Sequence, residues 1–257
     1  MNPFKKPQKQ LSFFLTAGFP ERDSLIQQAV YLEKAGVDFL EIGIPFSDPL
    51  ADGPTIQYSS SIALKNGMNL DLLFEQLADL NQMVSIPRVL MGYFNPILRY
   101  GLERFLQKAI ACGISGVIIP DISLELYSLY YAELFNTYEI SFIPLITSST
   151  PLKQLEQHCK NQRTGFVYFI GQQTITGNSI KEIDHNPIND TTRSSCNRLP
   201  VFTGFGIKTT ADFDRACTTT DGGIIGSRLI EAIQNDEFQQ YVNHMIGAKN
   251  QINSVFE

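Results

Sequence analysis

The chain has no tryptophan, three histidines and four cysteines among its 257 residues. The cysteines, Cys112, Cys159, Cys196 and Cys217, are widely spaced and form no CxxC pair, so they read as reduced thiols and not as zinc ligands or a disulfide framework. His158, His185 and His244 are scattered equally, which leaves a metal site or a histidine-centred nucleophile triad without its parts. A carbohydrate cleft would lack the tryptophan on which sugars usually stack. Positive charge is also short: 20 Lys and Arg against 26 Asp and Glu give a net charge of −6, which argues against nucleic acid as a partner. No apolar run is long enough to cross a membrane; LSFFLTAGF, after an opening MNPFKKPQKQ with three lysines, is also too short for a secretory signal core. A cytoplasmic protein that binds neither membrane nor nucleic acid is expected.

What is present is alternation. Short apolar, β-branched runs at Phe13–Ala17, Asp38–Ile44, Arg88–Tyr93, Gly116–Pro120, Ser141–Ile146, Gly165–Ile170, Val201–Gly204 and Gly222–Ile225 read as strands. Between them lie helix-patterned segments: Asp23–Ala35, Leu70–Met83, Leu102–Cys112, Leu124–Phe135 and Pro151–Cys159. Gly36 and Gly113 stand where a helix would stop in a left-handed residue before returning to a strand. With no linker or compositional break, residues 1–257 are expected to form a single (β/α)8 TIM-barrel domain, with extra peripheral helices such as Asp236–Ala248. The stretch 178–198 lacks apolar periodicity; a short or irregular helix, or a loop, is expected there.

The second strand carries an acid in an unusual place. By strand parity Leu40, Ile42 and Ile44 face the helices, whereas Phe39, Glu41 and Gly43 point into the barrel. A carboxylate flanked by apolar residues resists ionisation, so Glu41 should have a raised pKa suited to general acid/base work. Gly43 beside it would leave room for a substrate. A structural Glu paired with a distant cation is the alternative. The loop that follows, PFSDPLADGP, is stiffened by three prolines and a glycine at the strand end where barrels place their chemistry. Asp48 and Asp52 in it also fit plain turn residues.

The run LEIGIPFSDPLADG at Leu40–Gly53, with PTIQ after it, resembles the signature of the tryptophan synthase α chain family. The resemblance extends from about Phe13 to Ile233. It implies cleavage of indole-3-glycerol phosphate to indole and glyceraldehyde 3-phosphate, with Glu41 as the acid/base and Asp52 receiving the indole N–H. It further implies that Pro45, Asp48 and Pro49 touch a tryptophan synthase β chain in an α2β2 tetramer. No cofactor or metal is implied in this chain; pyridoxal phosphate belongs to the β partner.

For the phosphate end, glycines after strands seven and eight beside a helix N-terminus supply backbone donors where cations are few. Gly204-Phe205-Gly206-Ile207 and Gly226-Ser227, before a short helix from Arg228, have that arrangement. Gly206, Gly226 and Ser227 are therefore phosphate candidates, and the resemblance adds Gly177. Tyr168, on one strand face with Phe166, is an aromatic that could line the indole pocket; the resemblance supports it together with Phe14 and Phe205. Tyr93, Asn95 and Asp121 lie in further family blocks and take supporting roles. After strand six the family carries its closing loop. Here Thr176-Gly177 fits, whereas Gly171–Ile175 departs from the usual serine- and glycine-rich run. A variant loop can slow turnover, which leaves a second reading: a weakly active or silent α-type subunit that mainly activates the β chain.

Overall fold

The computed structural model describes residues 1–170, 175–176, 179–180, 188, 190–196, 199–204 and 206–254. Its strands are β1 (Gln10–Thr16), β2 (Phe39–Gly43), β3 (Arg88–Met91), β4 (Gly116–Ile118), β5 (Ser141–Phe142), β6 (Leu145–Ile146), β7 (Val167–Phe169), a small pair β8 (Ile175–Thr176) and β9 (Ser179–Ile180), then β10 (Val201–Thr203) and β11 (Gly222–Ile225). The main sheet is parallel throughout and runs β5-β4-β3-β2-β1-β11-β10-β7-β6. Its two end members are halves of one segment, parted only by Ile143-Pro144. The Ile143 N–H donates to the Val117 carbonyl at 2.9 Å, while the Pro144 carbonyl accepts from Tyr168 N–H at 3.0 Å. Residues 141–146 thus act as one strand that joins both ends of the sheet, and eight strands close into the barrel. Proline has no N–H to give, which accounts for the break in the ladder at that point.

Strand parity holds. Phe39, Val89, Ile118, Ile143, Phe166, Tyr168, Phe202 and Ile224 pack together inside the barrel, whereas Leu40, Ile42 and Ile44 belong to the layer beneath the helices. One interior member was not foreseen. Phe4 is fully buried and sets its ring edge-on against Phe39 and Phe166 at 5.3 and 5.1 Å. The N-terminal arm carrying it is held by Gln10 Nε2, which donates to the Phe4 carbonyl at 2.6 Å, and by Asn2 Nδ2 on the Gly165 carbonyl at 2.8 Å. The arm closes the N-terminal end of the barrel. Beside it the Asp38 carboxylate takes Lys6 at 2.9 Å, Lys249 at 2.7 Å and the Leu11 N–H at 2.9 Å, tying both chain ends to the first two strands.

The helices are α1 (Ser24–Ala35), α2 (Pro54–Lys65), α3 (Leu70–Met83), α4 (Phe94–Tyr100), α5 (Leu102–Ala111), α6 (Leu124–Leu126), α7 (Ala132–Thr137), α8 (Leu152–Asn161), α9 (Asp190–Ser195), α10 (Thr210–Thr219), α11 (Ser227–Gln234) and α12 (Phe238–Ser254). Gly36 and Gly113 adopt the expected positive φ, 96° and 71°. Three helices lay outside the expected segments: α2, α4 and α10. Two of these start on local chemistry that hydrophobic periodicity does not register. Pro54 opens α2 at a position where a missing N–H costs nothing, and Thr209 with Asp212 forms a capping box for α10. The helix expected over Leu124–Phe135 is interrupted by a π-helical turn at Tyr127–Tyr131, where Tyr127 stacks on Phe142 at 4.0 Å. The short helix expected within 178–198 is α9, and the final helix runs to Ser254, beyond the expected Ala248.

Candidate active site

Glu41 sits mid-strand on β2, paired with Phe14 on β1 and Val89 on β3, both apolar. It is 1% exposed, and its Oε2 has no hydrogen-bond partner. Removal from water pushes its pKa up to about 8, with a smaller push from the Asp52 carboxylate. Among the described residues no cation pairs with it, so the structural ion-pair alternative finds no support there. At neutral pH Glu41 is therefore mostly protonated, a proton donor waiting in an apolar wall.

Asp52 approaches from the loop above. Its backbone N–H donates to the Pro49 carbonyl at 3.0 Å, so it is a turn residue as well, and Gly53 caps the start of α2. Partial burial lifts its carboxyl to about 6, against the pull of a hydrogen bond from the Tyr93 hydroxyl. That same hydroxyl accepts the Ala51 N–H at 2.9 Å. Tyr93 follows β3 and leads into α4, whose first N–H, Phe94, is held by the Asp121 carboxylate at 2.9 and 3.2 Å. A chain of polar contacts thus fixes the loop acid to the ends of the third and fourth strands. Tyr168 completes the group. It is buried, and its hydroxyl is pushed well above the usual phenol range by burial first and by Glu41 and Asp52 next.

Glycines shape the remaining walls. A Cβ on Gly204 would stand 1.7 Å from the Tyr168 hydroxyl, so that side chain needs a bare backbone to lie on. A Cβ on Gly43 would stand 2.2 Å from Phe14 Cζ. This corrects the expectation that Gly43 leaves space for a substrate: the Phe14 ring already fills it. The backbone after strand eight does stay open. A Cβ on Gly226 would meet only Phe14 and Ile56 at 3.6 Å or more, and Ser227 begins α11 with no acidic residue in its first turn. Gly206 takes φ 80°, a left-handed turn beyond β10. The Phe14 ring therefore links the wall by Glu41 to the helix start at Gly226.

A model of the family "Tryptophan synthase alpha chain" matches residues 2–255. The chain belongs to this family. It is similar to the tryptophan synthase alpha chain of Flavobacterium psychrophilum, 43% identical over 88% of this chain and 90% of that one. It is similar also to the alpha chain of Christiangramia forsetii, 42% identical over 90% and 91%. Among solved structures, the tryptophan synthase subunit alpha of Legionella pneumophila str. Paris superposes with a TM-score of 0.83 at 28% identity, covering 95% of this chain and 94% of that one.

As a tryptophan synthase alpha chain, the protein is a carbon–carbon lyase subunit. Of the residues singled out from sequence, the structure gathers Glu41, Asp52, Phe14 and Tyr168 at one end of the barrel, with Gly226 and Ser227 adjoining through Phe14. Gly177 and Phe205 lie outside the described residues. Thr176 pairs in register with Ser179 across the small hairpin. On the loop, Asp48 is exposed, Pro49 half-buried and Pro45 buried. Among the described residues no group of His, Cys, Asp and Glu is placed to hold a metal ion, and no described helix is long and apolar enough to cross a membrane. Tyr93, expected in a supporting role, contacts both the Ala51 N–H and the Asp52 carboxyl. Because the Tyr93 hydrogen bond lowers the Asp52 pKa, Tyr93→Phe is expected to move the acid limb of the kcat/KM profile to higher pH. The alkaline limb should stay put. An unmoved acid limb would show that Tyr93 does not act through Asp52.

Proposed function

We propose that residues 1–257 act as one barrel unit in which Glu41 and Asp52 cleave indole-3-glycerol phosphate, the reaction of the tryptophan synthase α family. The observation that carries this reading is a buried carboxyl, with one oxygen lacking a hydrogen-bond partner, beside a second, more acidic one. With pKa values near 8 and 6, the pair holds one proton at neutral pH, on Glu41. Protonated Glu41 donates to C3 of the indole ring, and the Asp52 carboxylate receives the ring N–H as that nitrogen becomes positive. The Glu41 carboxylate then takes the proton of the substrate hydroxyl as the C–C bond breaks. Indole and glyceraldehyde 3-phosphate leave, and the proton count on the enzyme is restored. Phe14, Tyr168 and Phe205 flank the indole, while Gly177, Gly206, Gly226 and Ser227 hold the phosphate with backbone and hydroxyl donors. Thr176 anchors the lid over Asp52.

The product explains the partner. Indole is apolar and escapes readily, so an α chain benefits from docking on a β chain that consumes it with its own pyridoxal phosphate. Pro45, Asp48 and Pro49 are assigned to that contact, in a cytoplasmic α2β2 tetramer. Leu50, 93% exposed at the loop tip, and Leu98, 53% exposed on α4, supply apolar surface suited to it. Near them a cleft of about 560 Å³ is lined by Pro45, Phe46, Asn95 and Arg99.

Indole release from indole-3-glycerol phosphate, with and without a β chain, tests the reading. The parent should release indole, and Asp52→Asn should lower kcat by about 10²- to 10³-fold with little change in fold, the magnitude typical of losing one charge-stabilising group. A parent that releases none yet stimulates the β reaction would instead support the silent regulatory subunit.

A further inference from the structure

Thr16 and Ser59 are buried hydroxyls. A hydroxyl out of reach of water needs a partner, and these two have each other: Thr16 Oγ1 and Ser59 Oγ lie 2.6 Å apart. Ser59 has one proton to give, and its oxygen also stands 2.9 Å from the Ile56 carbonyl, which can only accept. Ser59 therefore donates to Ile56, and Thr16 donates to Ser59. The bond spans two elements that each lead to an acid. Thr16 ends β1 on the same inward face as Phe14. Phe14 pairs with Glu41 and Thr16 with Gly43, so Thr16 stands one pleat further along the wall than Glu41. Ser59 lies on α2, which begins at Pro54, just after Asp52 and Gly53.

Asp52 is tied to that helix by more than the chain. Gln57 Nε2 donates to the Asp52 carbonyl at 2.9 Å, while the Gln57 N–H donates to the Gly53 carbonyl at 3.0 Å. Where α2 goes, Asp52 follows. The far end of the helix is pinned by Asn66, whose Nδ2 donates to the Gly18 and Pro20 carbonyls, both at 2.9 Å. Both anchors fall on the chain leaving β1. Ser59 is the inner one, about 7.5 Å along the helix axis from Pro54. Without it the nearest such anchor to β1 is Asn66, two turns further on, and the front of the helix gains the most freedom. The Tyr93 hydroxyl holds the Asp52 loop from the side of β3; the Thr16 hydroxyl holds it from β1.

We propose that Thr16 and Ser59 are positioning residues whose hydrogen bond sets the separation of Glu41 and Asp52, by holding α2 against the strand that pairs with Glu41. The inference rests on the reading of Glu41 and Asp52 as the reacting pair. The two hydroxyls act through Asp52: a group that must meet charge as it develops is sensitive to its place, and a shift of about 1 Å can cost about 10²-fold in rate.

The test measures indole release from indole-3-glycerol phosphate by full-length variants. Thr16→Val keeps the shape of the side chain and leaves Ser59 its bond to Ile56, so the fold loses little. Thr16→Val and Ser59→Ala should each lower kcat by about 10- to 10²-fold, and the double variant no further than either, as two ends of one bond must. Thr16→Ser keeps the hydroxyl and should keep the parent's kcat. In an Asp52→Asn background Thr16→Val should cost little more, because the group it positions is already lost. A parent-like kcat in Thr16→Val, losses that multiply in the double variant, or an equal loss with and without Asp52 would each overturn the proposal. Asp52→Asn as active as the parent would instead remove the assignment of Asp52 itself, and the proposal with it. Should Ser59→Ala fail to fold, Thr16→Val against Thr16→Ser, with and without Asp52, still decides.

Discussion

Replacing Glu41 by Gln is expected to cut indole release by at least about 10³-fold while making the protein more stable at alkaline pH. In the proposed mechanism the loss of activity follows from removing the group that would give a proton to the ring and take one from the hydroxyl; general acid–base catalysis typically supplies about 10²–10⁴. Glutamine fits the same space and can do neither. The gain in stability follows from linkage. The folded protein holds the Glu41 proton up to about pH 8, whereas the unfolded chain releases it near 4.5. The native state therefore binds more protons across that window, and stability falls as pH rises through it. Since each pKa unit is worth about 1.4 kcal/mol, the parent loses at most roughly 5 kcal/mol between the two values. Glu41→Gln has no such slope. Urea unfolding at pH 5 and pH 8 checks this: between the two, the parent's midpoint should drop further than the variant's, the difference between them being the Glu41 contribution. The parent's kcat/KM should be bell-shaped, rising near pH 6 as Asp52 ionises and falling near pH 8 as Glu41 loses its proton. Parallel unfolding slopes in parent and variant would sink the assignment of a buried neutral acid.

The second large effect concerns the barrel wall. Gly222 begins β11 opposite Gln10 on β1. A Cβ there would stand 1.9 Å from the Gln10 carbonyl oxygen, and the contact is with backbone, which cannot swing aside. Its φ of 157° lies at the limit of the range that favours glycine, so the clash carries most of the cost. Gly222→Ala should force the last strand off the first where the barrel closes and destabilise the fold by about 4 kcal/mol or more, beyond the usual range for a single substitution. The chemical-denaturation midpoint of purified variant measures it. A change below about 1 kcal/mol would mean that the two strands re-register at no cost.

Periodicity and parity carry much of the barrel in one dimension. All eight strand regions and the inward face of β2 follow from where apolar residues recur, because burial on two faces imposes that pattern. Glu41 was legible for the same reason: an acid on an inward face is an anomaly that parity exposes. Asp52 was less so, since Asp before Gly is common in turns, and indeed it is a turn residue here as well as an acid beside Glu41. What stayed hidden depends on contacts between distant residues. Nothing near Phe4 marks it as core, since the pocket it fills is built by Phe39 and Phe166. Gly43 reads as empty space until Phe14, from another strand, lies across it. The starts of α2, α4 and α10 rest on local chemistry that alternation alone passes over: Pro54, the Asp121 carboxylate on the Phe94 N–H, and the Thr209–Asp212 capping box.

The ring of Phe4 in the floor of the barrel has a consequence for traffic. With the N-terminal end corked by Phe4 and the middle filled by Phe39, Phe166 and Phe202, the barrel is a cup and not a pipe. A substrate entering over the loop that carries Asp52 and the product leaving must share one rim. A protein seated on that rim would stand in the path of the indole released there, so capture requires no tunnel through the barrel, only a neighbour at the end that carries Asp52.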